Sequence, residues 1–153
     1  MKKILSTIAG LLLMGVLVVV TSCGDDDVDP RLAVGSEERP AWATLAGLYQ
    51  TYEFTMSVQV TLQDELLAYA SDNDLMCATI DGEIRAVAAL QRTGGEAYFP
   101  LVIAGNSGSG AVSLSYYCAQ LKRIYTLDRW QPFTPGMSPT QDGEPYVIPF
   151  ITE

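Results

Sequence analysis

Apolar and polar residues alternate without a break between Phe54 and Leu62. The apolar positions are Phe54, Met56, Val58, Val60 and Leu62, and the polar positions are Thr55, Ser57, Gln59 and Thr61. A period of two residues is typical of a β-strand with one buried face and one face in solvent. Residues 112–118 alternate in the same way, with Val112, Leu114, Tyr116 and Cys118 as the apolar set. We therefore predict two half-buried strands.

A β-hairpin is predicted where Leu75–Ile80 and residues 83–90 flank the dipeptide Asp81-Gly82. This dipeptide tolerates positive φ at both turn positions, as a two-residue hairpin turn requires. The pairs expected across the hairpin are Ile80 with Glu83, Thr79 with Ile84, and Cys77 with Ala86. One face would then collect Leu75, Cys77, Ile84, Ala86, Ala88 and Leu90.

Further apolar runs, separated by turn residues, extend the strand pattern. Residues 98–104 predict a strand buried on both faces, while 124–127 and 146–151 predict shorter strands. The glycine-rich segment 105–110 is interpreted as a flexible turn. Seven or so short strands at this spacing predict an all-β fold, namely a single small β-sandwich, Ig-like in architecture, over residues 40–153.

The first residues have the organisation of a secretory signal, because Lys2 and Lys3 precede an apolar stretch at 8–20. This stretch is shorter than the roughly 20 residues that a transmembrane helix needs. It is followed by Val20-Thr21-Ser22-Cys23, which resembles the lipobox of bacterial lipoproteins. The resemblance implies a signal peptide at 1–22, cleavage before Cys23 and a lipid anchor on that cysteine. The alternatives are a permanent transmembrane anchor, or ordinary cleavage that leaves Cys23 free or disulfide-bonded.

Three consecutive carboxylates, Asp25, Asp26 and Asp27, follow Cys23 almost directly. They look like the acidic export signal of surface lipoproteins in Bacteroidota, which implies an outer-membrane protein that faces the cell exterior. The alternative is that they only begin a solvated tether. Polar residues, proline and glycine dominate up to residue 39, so we interpret 23–39 as the lipidated cysteine and an acidic flexible tether.

Several short segments occur in order along residues 40–127. They are Pro40-Ala41-Trp42, Tyr52-Glu53-Phe54-Thr55-Met56-Ser57-Val58, Ser71-Asp72-Asn73-Asp74-Leu75, Glu83-Ile84-Arg85-Ala86-Val87-Ala88, Tyr98-Phe99, Gly105-Asn106 and Val112-Ser113-Leu114-Ser115-Tyr116-Tyr117. Together they resemble a small β-domain that recurs in secreted and lipoprotein chains of Bacteroidota. That family has no assigned activity, so the resemblance bears on fold and location only.

The chain departs from this family pattern at Cys77 and Cys118, where the family has a small residue and an aspartate. Both cysteines fall on the inward faces of predicted strands, and a secreted protein can form disulfides. A disulfide between them would close a loop of about 41 residues and would stabilise the fold by roughly 4 kcal/mol. The alternative is two separate buried thiols, since free cysteine packs as a small hydrophobic residue.

Composition excludes several classes of function. Without Lys2 and Lys3, seven basic residues stand against eighteen acidic ones, which leaves a net charge of −11. We expect no nucleic-acid partner, because binding to phosphates needs a basic patch, and attachment to the membrane would depend on the lipid anchor.

The chain has no histidine, so Ser-His-Asp and Cys-His catalysis and histidine zinc sites are absent. We expect no catalytic activity, no metal and no cofactor, and the alternative is a hydrolase that uses a pair of carboxylates.

Three groups of side chains remain as candidates for binding. Trp130, Tyr117, Tyr125 and Tyr146 could form a stacking platform for sugar rings, or could cover the core and edges of the sandwich. Asp72-Asn73-Asp74 could bind calcium, although an Asx-type turn is the favoured interpretation. Glu83 and Arg85 form either a functional pair or, by preference, an ordinary cross-strand ion network.

From these patterns we predict a membrane-anchored, surface-exposed lipoprotein. Its β-sandwich is expected to be a non-catalytic module that binds a glycan or a protein at the cell surface. The alternative is a structural or accessory subunit of a cell-envelope assembly, such as a pilus or an uptake complex, with no small ligand of its own.

Overall fold

The computed structural model describes residues 29–152, so Cys23, Asp25, Asp26, Asp27 and the predicted signal peptide lie outside the described part of the chain. The elements begin with a 3-10 turn at Pro30–Leu32 and continue through two one-turn helices and eight strands. They are α1 Leu48–Thr51, β1 Phe54–Leu62, α2 Asp64–Leu67, β2 Leu75–Ile80, β3 Glu83–Ala89, β4 Gln91–Thr93, β5 Glu96–Gly105, β6 Ala111–Cys118, β7 Arg123–Pro132 and β8 Tyr146–Ile148. No helix among residues 29–152 is long and apolar enough to cross a membrane.

The strands form two sheets of four strands each. Their orders are β4-β5-β1-β8 in one sheet and β3-β2-β6-β7 in the other. Neighbouring strands are antiparallel, except that β8 runs parallel to β1. The predicted all-β sandwich is therefore confirmed, with eight strands in place of the seven or so expected.

The core lies between the inner faces of the two sheets. The four inward residues of β1, from Met56 to Leu62, are each at most 2% exposed, which confirms the alternation read from the sequence. They pack with Phe99, Leu101 and Ile103 of β5 and with Val112, Leu114 and Tyr116 of β6. Full burial of a large apolar side chain stabilises a fold by roughly 1.5–3 kcal/mol, so these alternating positions hold the two sheets together.

The β2–β3 hairpin begins as predicted and then shifts register. Ile80 pairs with Glu83 and Thr79 with Ile84, but Cys77 pairs with Val87. The predicted pairing of Cys77 with Ala86 is wrong, because a β-bulge at residue 85 adds one residue to β3.

One extra residue exchanges the two faces of a strand relative to its partner. The inward face therefore carries Met76, Ala78 and Ile80 together with Ala86 and Ala88, and Cys77 lies on the opposite face.

Strand direction defines two ends of the sandwich. One end carries α2, the 71–74 turn and the β4–β5 and β6–β7 turns, and we name it the α2 end. The opposite end carries the Asp81-Gly82 turn and the loop 106–110.

Residues 29–37 dock at the α2 end. The amide of Gly35 donates to the carbonyl of Leu121 at 2.7 Å, and the amide of Glu37 donates to the carbonyl of Lys122 at 2.9 Å. The hydroxyl of Tyr125 donates to the carbonyl of Arg31 at 2.6 Å. The folded unit therefore includes residues that the sequence pattern assigned to the tether.

Candidate functional site

The four aromatic residues of the predicted platform do not share one surface. Tyr125 is 9% exposed and stacks on the core residue Tyr116, with 6.0 Å between ring centroids. Tyr117 is 6% exposed and follows Tyr116 in β6, so it lies on the other face of the sheet. Only Trp130 and Tyr146 meet, edge to face at 5.9 Å, where they pack against the core. The predicted platform does not form, and the residues cover the core and the edges instead.

Cys77 and Cys118 are both free and both buried. Cys77 pairs with Ser115 across β2 and β6, and Cys118 lies three residues beyond Ser115, on the opposite face of the same sheet. The predicted disulfide is therefore wrong, since side chains on opposite faces of a sheet cannot be bridged without moving the backbone. Burial raises the pKa of the Cys77 thiol to about 11, and burial also raises the pKa of Cys118. Both thiols are consequently protonated and unreactive at neutral pH.

Asp74 is fully buried and organises the turn before β2. One carboxylate oxygen accepts from the hydroxyl of Ser71 at 2.9 Å and from the amide of Ala119 at 2.9 Å. The other accepts from the amide of Ser71 at 3.0 Å and from the hydroxyl of Tyr116 at 2.6 Å. All four bonds come from the protein, so Asp74 fastens the 71–74 turn to β6 and is not available to a calcium ion. This favours the turn interpretation of Asp72-Asn73-Asp74.

Arg85, the bulged residue, reaches from one sheet to the other. Its Nη1 donates to the carbonyl of Ala104 in β5 at 3.0 Å, and its guanidinium lies 3.8 Å from the centre of the Tyr52 ring. Its Nη2 lies 3.5 Å from a carboxylate oxygen of Glu83. The Glu83–Arg85 pair predicted from the sequence is thus present, but Arg85 is 7% exposed and offers little surface to a ligand.

Arg85 is one of the side chains that cover the free edge of β5. Beyond the short strand β4, the carbonyl groups of β5 lack a strand partner on that side. Arg85 donates to the carbonyl of Ala104, and the hydroxyl of Tyr49 donates to the carbonyl of Val102 at 3.1 Å. Covered edges protect a sheet against pairing with another chain, so these side chains have a structural role. Sequence reasoning missed Tyr49 and Tyr52, because nothing local indicates which edge they meet.

A cleft of about 250 Å³ opens beside the first sheet, towards the α2 end. Its lining includes Thr61, Leu67, Glu96, Ala97, Glu144 and Val147. Val147 is 61% exposed, which is unusual for an apolar strand residue and leaves an open apolar floor. The hydroxyl of Thr61 donates to the carbonyl of Ala97 at 2.6 Å, so this polar group is already satisfied.

The two carboxylates of the cleft have no cationic partner within residues 29–152. The ion pairs in this part of the chain join Asp29 with Arg31, Glu83 with Arg85, and Asp72 with Arg92. Glu96 and Glu144 are both exposed at the rim of the cleft. The cleft therefore combines an apolar floor with negative charge that the protein itself does not neutralise.

The sequence did not indicate this cleft. Its residues come from β1, α2, the β4–β5 turn and the segment that leads into β8. Only the parallel pairing of β8 with β1, which sets Val147 opposite Thr61, brings them together. The one local signal was Val147 itself, which stands between Tyr146 and Ile148 in a short strand with the period of two.

Comparison of the chain with protein-family models, with curated proteins and with solved structures finds no match.

Proposed function

We propose that this chain is a lipoprotein of the outer membrane, anchored through Cys23 and facing the cell exterior, whose β-sandwich is a non-catalytic module that binds a glycan or a protein in the cleft. The segment from Lys2 to Cys23 and the three aspartates after it support the location. The all-β fold and the cleft support the binding role.

The cleft is the observation that carries the binding role. Ligand sites are concave and mostly apolar, with a few polar groups that orient the ligand. The floor at Val147 and the unpartnered carboxylates of Glu96 and Glu144 have this composition. The guanidinium of Arg85 and the carboxylate of Asp74, in contrast, are buried against groups of the fold, and both thiols are buried.

Cys23→Ala tests the anchor. We expect the variant to leave the membrane fraction or to stall with its signal uncleaved, because the thioether to the lipid cannot form. The measurement is cell fractionation together with metabolic labelling by a fatty acid. A processed variant that stays in the membrane fraction would show that lipidation is not the anchor.

The acidic export signal is tested by replacing Asp25, Asp26 and Asp27 with asparagine. We expect the variant to remain lipidated and membrane-bound while it loses sensitivity to protease added to intact cells. A variant that stays as sensitive as the parent would indicate that the aspartates only begin a solvated segment.

Binding is tested on the lipidated full-length protein, solubilised in detergent, with a glycan array and with envelope-protein extracts. Val147→Asp should abolish retention, because it places a charge on the apolar floor. Val34→Asp is the matched control, since Val34 is 68% exposed and does not line the cleft. Equal retention by both variants would remove the cleft from the proposal. One stoichiometric envelope partner that binds independently of the cleft would favour an accessory subunit of an envelope assembly, such as a pilus or uptake complex.

A further inference from the structure

We infer that the cleft is held close to the bilayer and takes a lysine or arginine side chain from a protein in the same membrane. This inference rests on the proposed lipid anchor at Cys23, and it narrows the ligand from a glycan or a protein to one class. Its first support is the docking of residues 29–37 on the sandwich, and its second is the chemistry of the cleft.

Docking shortens the tether that the sequence alone indicated. A segment running from Cys23 to residue 40 would reach roughly 60 Å when fully extended at about 3.3–3.6 Å per residue. Because Arg31, Gly35 and Glu37 are bonded to the α2 end, the connection from Cys23 ends at Asp29. Six residue steps span at most about 20 Å. Asp29, at the start of the docked segment, therefore stays within about 20 Å of Cys23, whatever path the connection takes.

The cleft opens at this same end. Leu67 belongs to α2, and Glu96 begins β5 directly after the β4–β5 turn. The loop 106–110 at the opposite end is separated from Glu96 by the ten residues of β5, which is about 33 Å of strand. A partner in or on the membrane can therefore reach the cleft, and the loop 106–110 lies at the end of the sandwich away from the docked segment.

The size and charge of the cleft favour a single cationic side chain. Its volume of about 250 Å³ falls below the range of roughly 300–1,000 Å³ that holds a drug-sized ligand. Leu67 and Val147 offer an apolar surface to a methylene stem, and Glu96 and Glu144 offer two carboxylates to the charge at its tip. Lysine and arginine combine such a stem with such a charge, and a neutral sugar leaves both carboxylates unpaired.

The distance is tested with the lipidated full-length protein in vesicles that carry an energy acceptor on their headgroups. A fluorescent donor is attached at Gln120→Cys in the β6–β7 turn or at Ser107→Cys in the opposite loop, both of which are exposed positions. Cys77 and Cys118 are buried, and the parent protein gives their background labelling. We expect several-fold higher energy transfer from residue 120, and we expect the difference to shrink when sixteen Gly/Ser residues are inserted after Asp27.

Equal transfer from both labels in the parent would overturn the close placement. This failure is distinct from failure of the proposed function, which would appear as a protein that never enters the membrane fraction.

The cleft chemistry is tested on the full-length protein, solubilised in detergent, with N-acetyl-lysine methylamide as the probe and N-acetyl-norleucine methylamide as its uncharged counterpart. We expect saturable amide shifts at Gly95 and Val147 with the lysine probe, and binding at least several-fold weaker in the double variant E96Q/E144Q. Glu65→Gln, an exposed change in α2 outside the cleft lining, should bind as the parent does.

Two outcomes would overturn the assignment of a cationic side chain. Equal binding of the norleucine probe would show that the carboxylates play no part. Shifts at the same amides with a methyl glucoside, and none with the lysine probe, would identify the occupant as a glycan.

Discussion

The hydrogen bond from Tyr116 to Asp74 joins the core to the turn before β2 and can be removed without disturbing much else. Tyr116 is fully buried, and its hydroxyl lies 2.6 Å from a carboxylate oxygen of Asp74. Tyr116→Phe deletes one oxygen and keeps the ring contacts, which place Phe99 at 5.8 Å and Tyr125 at 6.0 Å between centroids. The change therefore isolates one bond and opens almost no cavity.

The expected cost follows from the partners that remain. A hydrogen bond to a carboxylate contributes roughly 1.5–3 kcal/mol to stability. Asp74 keeps the hydrogen bonds from Ser71 and Ala119, so its buried carboxylate still has donors on both oxygens. We expect the free energy of unfolding of Tyr116→Phe to fall by about 2 kcal/mol. For a domain of this size, a loss of that magnitude lowers Tm by roughly 8 °C.

Tyr117→Phe is the matched control, because the same atom is deleted at the next residue of β6. Tyr117 is 6% exposed, and within residues 29–152 its hydroxyl has no hydrogen-bond partner. Urea unfolding measures the free energy of unfolding of each variant, and the two values are compared where the m-values are equal. If the two free energies of unfolding agree within about 0.5 kcal/mol, the bond to Asp74 does not stabilise the turn and the reasoning is refuted.

Two further predictions concern the thiols and the docked segment. The pKa of Cys77 is about 11 in the fold against 9.0 for an ordinary thiol, so the unfolded chain loses that proton first and stability falls as pH rises from about 9 to 11. Unfolding measurements at several pH values give the slope of the free energy of unfolding against pH, and Cys77→Ala should reduce that slope by up to about 1.4 kcal/mol per pH unit. An unchanged slope would contradict the raised pKa of Cys77. Gly35→Ala places a Cβ 2.7 Å from the carbonyl oxygen of Lys122, so we expect a loss of roughly 1–3 kcal/mol and faster amide exchange at Glu37. Ser36→Ala, an exposed change beside it, should leave the free energy of unfolding and the exchange rate of the Glu37 amide as in the parent. If the Glu37 amide of Gly35→Ala exchanges as slowly as in the parent, the segment is not tightly docked.

The features that the sequence predicted correctly depend on neighbouring residues. Alternation from Phe54 to Leu62 gave the inward face of β1 correctly, because burial of every second residue is a property of one strand. Asp81-Gly82 gave the hairpin turn, since positive φ at two successive positions is a local requirement, and both residues have it. The fold class follows from several such strands in one chain.

The prediction of the hairpin pairs was wrong because one extra residue changed which side chains of β3 and β2 share a face. The bulge at Arg85 shifts β3 by one residue relative to β2, so the face that the apolar residues of β3 indicate is not the face of Cys77. The predicted disulfide failed because Cys77 pairs with Ser115 and therefore lies on the face opposite Cys118. Nothing in the hairpin sequence marks the bulge, because its cause is distant. Arg85 reaches the carbonyl of Ala104 and the ring of Tyr52, which lie in other parts of the fold.

The sequence by itself determined the alternating strands, the all-β class, the absence of histidine and the prediction of a lipid anchor at Cys23, since these follow from residue types and short-range order. Tertiary structure alone decided the sheet order, the docking of Gly35 against Lys122, and the cleft between Glu96 and Val147. These features depend on which distant segments meet, and that choice minimises exposed apolar surface and unpaired backbone groups over the whole chain. A short segment is therefore enough to predict where the protein is located, whereas its candidate binding surface required the fold.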